Sequence, residues 1–182
     1  NILLVQEITP RGIYSALNFG MALATGKYVL ILNSDDELVD FENLVNDIKS
    51  RDADIVIGRQ LGSIGDKNIV SIGFEEVKYG PMMKMPWPHG GMIAKKDFFD
   101  RVGNYSTDYK LSSDLDWVNK ALLAYPTIEY LDYYISKFRF GGVSTTRLSG
   151  PIESFKIFRF YGGSYLIGSL NLLKALTKIG RA

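Results

Sequence analysis

Cysteine is absent from this sequence, and its absence removes several kinds of functional site. The chain can form no disulfide, no thiolate zinc site and no cysteine nucleophile. A charge excess is also missing, because 21 basic residues nearly balance 20 acidic ones, and nothing in that balance predicts a nucleic-acid partner. No apolar run approaches the roughly 20 residues that a membrane-spanning helix needs. A chain without cysteine fits a reducing compartment, and we expect it in the cytoplasm.

Apolar segments of strand length alternate with segments of helical period along the chain. The strand-like segments lie at 2–5, 28–32, 54–58, 91–94 and 128–134, and helical spacing marks 13–24, 41–48 and 113–124. Strand, helix and strand in succession indicate a right-handed crossover between parallel strands. The sequence therefore predicts an α/β fold with a mixed, mainly parallel central sheet flanked by helices.

An acidic turn, Asn33-Ser34-Asp35-Asp36, follows the apolar run at 28–32. In open α/β sheets, ligands bind beyond the carboxyl ends of the strands. Two adjacent carboxylates repel each other unless a cation or strong donors compensate, and Mg²⁺ commonly joins one or two carboxylates to substrate phosphates. On these four residues alone the favoured interpretation is that Asp35 and Asp36 cap the following segment, as Asp often does in turns. The metal site stays open as the second interpretation.

The acidic turn is one of several short segments that together resemble a known family. The segments read GIYSALNFG at 12–20, ATGKY at 24–28, LNSDD at 32–36, HG at 89–90, GNY at 103–105, SDLD at 113–116 and FGGVS at 140–144. In this order, over about residues 7 to 145, they resemble the family 2 glycosyltransferases of the GT-A fold, a Rossmann-like fold that takes nucleoside-diphosphate sugars. Ser15 departs from the family pattern, which usually has Asp there, and Gly90 stands where many relatives have Gln.

The resemblance implies a reaction and a metal site. The reaction is the inverting transfer of a hexose from a nucleoside-diphosphate donor to a hydroxyl of a polysaccharide or glycolipid acceptor. Asp35 and Asp36, as a DXD-type motif, would hold Mn²⁺ or Mg²⁺, with Asp36 the direct ligand. Asn33, Asp35 and His89 would bind the donor diphosphate. His89 could instead line the acceptor cleft or have a purely structural role.

Asp114 is the candidate catalytic base, from its match to the acidic segment at 113–116. It begins a predicted helix, and a helix N-terminus favours the ionised carboxylate. An ordinary first-turn Asp is the alternative interpretation. Asp116 is the second candidate, although two residues two positions apart on a helix point in different directions.

Aromatic and small residues supply weaker candidates. Trp87 and Tyr105 could stack on a sugar ring or pack in the core. Gly141 and Gly142 are expected to shape a tight loop near the site. Ser144 could donate a hydrogen bond to a phosphate or a sugar.

The sequence predicts a GT-A domain at 1–150 and a helical extension at 151–182 that packs on it. In the extension, Leu166, Leu170, Leu173 and Leu176 recur at helical spacing and are expected to cover the core. A basic amphipathic helix can alternatively lie on an anionic membrane, here at the inner membrane face.

Two other functions remain open at this stage, a nucleotidyltransferase and a non-catalytic carbohydrate- or nucleotide-binding module. The chain starts in a strand-like run without methionine. Relatives usually carry two further strands and helices before the segment at 12–20, with much of the base pocket. We therefore expect a part of a longer protein in which the N-terminal part of the nucleotide-binding region is missing.

Overall fold

A computed structural model describes residues 11–64, 67–72, 74, 77, 79–140 and 149–179. The helices are α1 Ile13–Leu23, α2 Phe41–Lys49, α3 Lys96–Val102, α4 Ser113–Leu123, α5 Ser149–Phe160 and α6 Tyr165–Ile179. The strands are β1 Tyr28–Leu30, β2 Glu37–Leu38, β3 Ile55–Ile64, β4 Lys67–Ile72, β5 Met92–Lys95 and β6 Ile128–Arg139, and a short 3₁₀ turn spans His89–Gly91. The predicted strand at 2–5 lies outside the described residues.

The strands form one mixed sheet in the order β1-β5-β3-β6-β2, with β4 also paired to β3. The α/β class is confirmed. The expectation of mainly parallel pairing is wrong for the described residues, because only β3 and β6 pair in parallel there and the other four pairs are antiparallel. The reason is that β5 runs against both of its neighbours, β1 and β3.

Strand β3 is the centre of the core because helices cover both of its faces. Ile55, Val56 and Ile57 are each fully buried. Ile55 and Ile57 face a cluster that contains Trp117 and other residues of α1, α3 and α4, whereas Val56 faces a second cluster that contains Leu44 of α2. The alternation of faces along a strand explains this division. The segment at 54–58, with three β-branched apolar residues in succession, predicted such a strand correctly.

The starts of α2 and α1 show which features of a helix its local sequence predicts. Asp40 caps the start of α2, since its side chain accepts a hydrogen bond from the Asn43 backbone N–H at 3.3 Å. Helix α1 has the expected length, but Ile13 is exposed and Tyr14 is buried instead. The inward face of α1 thus carries Tyr14, and this places a hydroxyl inside the fold.

Helix α5 joins the C-terminal segment to the start of α4. The Glu153 carboxylate accepts hydrogen bonds from the backbone N–H groups of Lys110, Leu111 and Ser112, at 2.9 to 3.0 Å. These donors lie just before α4, where a helix leaves its first N–H groups without partners in the helix. The segment after residue 150 is therefore fastened to the loop that precedes Asp114. The domain boundary at residue 150 itself stays a prediction.

Helix α6 is rotated about its own axis relative to the prediction, so that a different face of the helix packs against α5. Gly168 is buried against Phe155 and Phe158 of α5, and a Cβ at this glycine would collide with Phe155. Because α6 approaches α5 through this glycine, Leu166, Leu170 and Leu173 point outward and are exposed. The expectation that these leucines cover the core is wrong. Within the described residues, no helix is both long and apolar enough to cross a bilayer.

Candidate functional site

The sheet brings the acidic turn and His89 together at one place. Strand β1 leads into the turn at 33–36, and β5, its antiparallel neighbour, begins directly after the turn that contains His89. On the other side of β5, Gln60 of β3 lies opposite Ser136 of β6. Ser136 also pairs with β2, which follows the acidic turn. The strands thus bring residues that are distant in sequence to one place on the sheet.

Asp36 is a buried carboxylate, and only one of its two oxygens has a hydrogen-bond partner among the described residues. Its side chain is 8% exposed. Oδ2 accepts a hydrogen bond from Asn33 Nδ2 at 3.1 Å, whereas Oδ1 is buried and has no hydrogen-bond partner in the described part of the chain. Burial raises the pKa of Asp36, the nearby charge of Asp35 raises it further, and the hydrogen bond from Asn33 opposes both. A buried polar atom without a partner is costly, and Asp36 Oδ1 keeps an unused capacity to accept a hydrogen bond or to bind a cation.

Asp35 differs from its neighbour because it is exposed to solvent. The backbone of Asn33 and Asp36 closes the turn, with a hydrogen bond from Asp36 N–H to the Asn33 carbonyl at 3.1 Å. The turn therefore points Asp36 inward and leaves Asp35 outside. No cluster of three or more His, Asp or Glu side chains suited to a metal occurs among the described residues.

Below Asp36 lies a buried polar group that the sequence reasoning missed. Gln60 Nε2 donates to Ser136 Oγ at 3.0 Å, and Ser136 Oγ donates to the Gly90 carbonyl at 2.6 Å. A Cβ on residue 90 would collide with Gln60 Nε2 and would stand 3.6 Å from Asp36 Oδ2. Gly90, which departs from the family pattern, is therefore the residue that leaves room for the Gln60 amide beside Asp36. The only sequence signal was a polar residue inside an apolar strand.

His89 connects this group to a second cluster through Tyr105. His89 Nε2 lies 3.4 Å from the Tyr105 hydroxyl oxygen. Tyr105 is held by Asn18 of α1, whose amide donates to the Tyr105 carbonyl and accepts from the Tyr105 N–H, both at 2.9 Å. The Asn18 side chain thus joins two segments of the family pattern, 12–20 and 103–105, with the same pair of hydrogen bonds that a paired backbone would make.

Asp114 lies at the far end of this chain of contacts. Tyr14 Oη donates to Asp114 Oδ1 at 3.2 Å, and the rings of Tyr14 and Tyr105 are 5.7 Å apart. Burial, and then the negative charge of Asp114, raise the pKa of both tyrosine hydroxyls, so Tyr14 remains a donor at neutral pH. Tyr14 was a member of the quoted pattern without an assigned role, and its burial gives it one.

Asp116 faces another direction, as its spacing from Asp114 predicts. It is buried, and Tyr161 Oη donates to its Oδ1 at 3.1 Å. Burial raises the pKa of Asp116, and the hydrogen bond from Tyr161 opposes the rise. The geometry separates the two candidate bases, with Asp114 on the side of Tyr14 and Asp116 on the side of α5.

Of the weaker sequence candidates, only Trp87 and Tyr105 lie within the described residues. Trp87 and Tyr105 are each 2% exposed and belong to the core, so neither presents a free ring face to a sugar. Gly141, Gly142 and Ser144 lie outside the described residues.

Comparison with known proteins decides the family. The family model described as "Glycosyl transferase family 2" matches residues 1–97, which is more than half of the chain. The chain belongs to glycosyl transferase family 2. The match includes the acidic turn and His89 but ends before Asp114.

Curated relatives and solved structures agree with this family. The chain is 26% identical over 156 residues to the "PGL/p-HBAD biosynthesis glycosyltransferase" of Mycobacterium bovis and to that of Mycobacterium tuberculosis, covering 79% of this chain and 57% of each relative. It thus spans little more than half the length of the curated relatives it matches. Its fold is similar to S. aureus TarS, with a TM-score of 0.60 and 15% identity over 94% of this chain and 32% of TarS. A structure of TarS 1–349 with UDP-GlcNAc has a TM-score of 0.59 and the same identity, over 94% of this chain and 54% of that one.

The contact between Gly90 and Gln60 leads to a stability prediction. We expect Gly90→Ala to lower the free energy of unfolding by about 1–3 kcal/mol, because the added methyl overpacks a closed space. In a Gln60→Ala background the same change should cost little, because the colliding amide is gone. Urea unfolding of the four proteins measures the coupling. Gly20→Ala is the control, since a Cβ there meets nothing within 4 Å. Equal costs in both backgrounds would contradict the packing described.

Proposed function

We propose that this protein is an inverting, metal-assisted glycosyltransferase that moves a sugar from a nucleoside-diphosphate donor to a hydroxyl of a polysaccharide or glycolipid. The observation that carries the proposal is Asp36, buried with an unpartnered oxygen in the acidic turn of a family 2 chain. Structures of TarS in complex with UDP and with UDP-GlcNAc make a uridine diphosphate sugar the first donor to test.

The residues present fit a divalent cation. Asp36 Oδ1 is the orphaned buried atom, and the Asp35 carboxylate is next to it in sequence and open to solvent. Mg²⁺ and Mn²⁺ prefer oxygen ligands and are often held by one or two carboxylates together with substrate phosphates. Two carboxylates without a third ligating side chain therefore suit a cation that shares its coordination with the donor. When bound, the cation would offset negative charge on the leaving diphosphate.

Asp114 is the proposed base. The acceptor oxygen would attack the anomeric carbon opposite the diphosphate, the bond from that carbon to the diphosphate oxygen would break, and the acceptor proton would pass to Asp114. Tyr14 and the Leu115 N–H both donate to Asp114 Oδ1, at 3.2 and 2.9 Å, and so fix the orientation of the carboxylate. Asn33 and His89 are proposed to contact the diphosphate, Asn33 from the acidic turn and His89 from the neighbouring edge of the sheet.

A titration of the full-length protein with uridine and guanosine diphosphates, with and without Mn²⁺, tests the metal site. We expect tighter diphosphate binding with Mn²⁺ in calorimetry and a loss of at least roughly tenfold in Asp36→Asn, since each factor of ten is about 1.4 kcal/mol. Asn keeps an oxygen for the Asn33 hydrogen bond but removes the charge. Asp132→Asn, at an exposed carboxylate of β6, is the control. Metal-independent binding, or none, would contradict the proposal and favour a non-catalytic module.

Asp114→Asn tests the base. We expect turnover of the donor to fall by about 10² to 10⁴ while the affinity for the diphosphate is unchanged, because the amide cannot accept the acceptor proton. Asp116→Asn is the matched control, since it changes a carboxylate on the same helix that Tyr161 already occupies. Near-normal turnover of Asp114→Asn would remove Asp114 from this role.

Peripheral membrane contact at the inner face is proposed for α6. Its exposed leucines, Leu166, Leu170 and Leu173, lie on a helix that has no acidic residue and carries the exposed Lys174. An apolar face with basic neighbours suits the surface of an anionic bilayer. A lipid-linked acceptor would be reached from such a position.

Co-sedimentation of the full-length protein with phosphatidylglycerol vesicles at low salt tests this contact. We expect the protein to bind anionic vesicles and the double variant Leu166→Ser/Leu170→Ser to bind at least roughly tenfold more weakly. Each change removes apolar surface that would be buried in the bilayer on binding. Ile64→Ser, at an exposed apolar residue of β3, should bind normally. No binding by the unaltered protein would rule the contact out.

A further inference from the structure

A second open cavity lies away from the acidic turn, at the C-terminal end of α4. Its volume is about 150 Å³, and Tyr79, Asn119, Tyr125 and Tyr161 are among its lining residues. Asp114 and Leu122, another lining residue, are separated by about 12 Å along α4, at a rise of about 1.5 Å per residue. The end of the cavity at Leu122 is therefore about two helical turns from the proposed base, whereas the lining residue Tyr161 reaches Asp116. No residue of the acidic turn is among the lining residues.

Two tyrosines form an exposed aromatic pair at the mouth of this cavity. Tyr79 is 52% exposed and Tyr125 is 75% exposed, and their ring centroids are 5.2 Å apart at an interplanar angle of 36°. Soluble proteins rarely leave grouped apolar surface open without a binding role. Unlike Trp87 and Tyr105, these rings present their surfaces to solvent.

The backbone of Tyr125 is in a conformation that this residue type rarely adopts. Its φ angle is 49°, in the left-handed region, at a position just after a helix where Gly or Asn is usual. Such strain costs on the order of 1 kcal/mol or more. The exposed Tyr125 ring recovers little of that cost by burial. A residue in this conformation ends the helix, here with the Tyr125 N–H donating to the Leu122 carbonyl at 3.1 Å, and glycine would do so without strain. An exposed aromatic ring at this position is what a binding role would explain.

The loop that carries Tyr79 is fixed in place at both ends. Tyr79 Oη donates to the Pro126 carbonyl at 3.2 Å. Asn119, which is buried, accepts from the Met82 N–H at 2.7 Å and donates to the Met82 carbonyl at 3.1 Å. The aromatic pair is thus preorganised, which reduces the entropy lost when a ligand is bound.

The chemistry of the lining selects the kind of ligand. None of the lining residues is charged, so neither a phosphate nor a carboxylate is matched there. A volume of about 150 Å³ is smaller than the roughly 300–1,000 Å³ of a site for a drug-sized ligand. Tyrosine combines an apolar ring with a polar hydroxyl, and a neutral sugar ring likewise has an apolar face and polar edges. The match is to one uncharged sugar unit.

We propose that Tyr79 and Tyr125 form a binding site for a neutral sugar residue of a glycan chain, apart from the site of transfer. The proposal deepens the proposed function, on which it rests for the presence of a glycan acceptor. A chain held here while its end lies near Asp114 would be bound at two points, which raises the effective concentration of the end.

Calorimetric titration of the full-length protein with neutral oligosaccharides of glucose, galactose, mannose or N-acetylglucosamine tests the site. We expect at least one oligosaccharide to bind, and Tyr125→Gly to weaken that binding at least roughly tenfold, or by about 1.4 kcal/mol. Glycine adopts a positive φ without strain, so this variant should unfold no more easily than the unaltered protein. Tyr79→Ala should also lose affinity, whereas Tyr79→Phe keeps the ring and should retain most of it.

Two controls separate this site from the rest of the protein. Phe41→Ala removes an equally exposed aromatic ring, on α2, and should bind the oligosaccharide normally. The Mn²⁺-dependent affinity for uridine diphosphate should be the same in Tyr125→Gly as in the unaltered protein. If no oligosaccharide binds, or Tyr125→Gly binds as well as the unaltered protein, this proposal is wrong. Diphosphate binding that fails instead counts against the transfer reaction alone.

Discussion

The parallel pairing of β3 with β6 is the constraint on which the candidate site depends. It sets Ile55 to Ile57 in the middle of the core and, further along the same strands, places Gln60 opposite Ser136. A shift of one residue in this register would turn each side chain to the other face of the sheet. The apolar part of β3 makes such a shift costly. The register then shifts between Ile57 and Gln60, so the apolar part alone does not set the position of the polar part. The hydrogen bond from Gln60 to Ser136 holds the polar part beside Gly90.

A second set of contacts carries the site from the sheet to the helices. His89 reaches Tyr105, Asn18 holds the Tyr105 backbone, and Tyr14 reaches Asp114. Each step joins residues from different segments of the family pattern. These contacts form a continuous path from the turn at His89 to the start of α4, although no strand connects the two.

Local signals predicted much of this fold, and interactions between distant residues account for the rest. Asp40 could be recognised as a cap because its partner is three residues away. Asp114 and Asp116 could be separated because helix geometry is local. Gln60 could not be placed, since its partner Ser136 is 76 positions away and only strand register joins them. The rotation of α6 was equally hidden, because Gly168 reveals its close approach to Phe155 only after the two helices have met.

The carboxylate of Glu153 has a consequence for how the protein is made. It provides acceptors for the loop before α4 from 41 residues further along the chain. At a synthesis rate of roughly 5–20 residues per second, that acceptor follows Ser112 out of the ribosome by about two to eight seconds. During that interval the start of α4, the helix that carries Asp114, lacks the hydrogen-bond acceptor that Glu153 provides. The start of α4 can therefore take its final form only after the sheet has been synthesised.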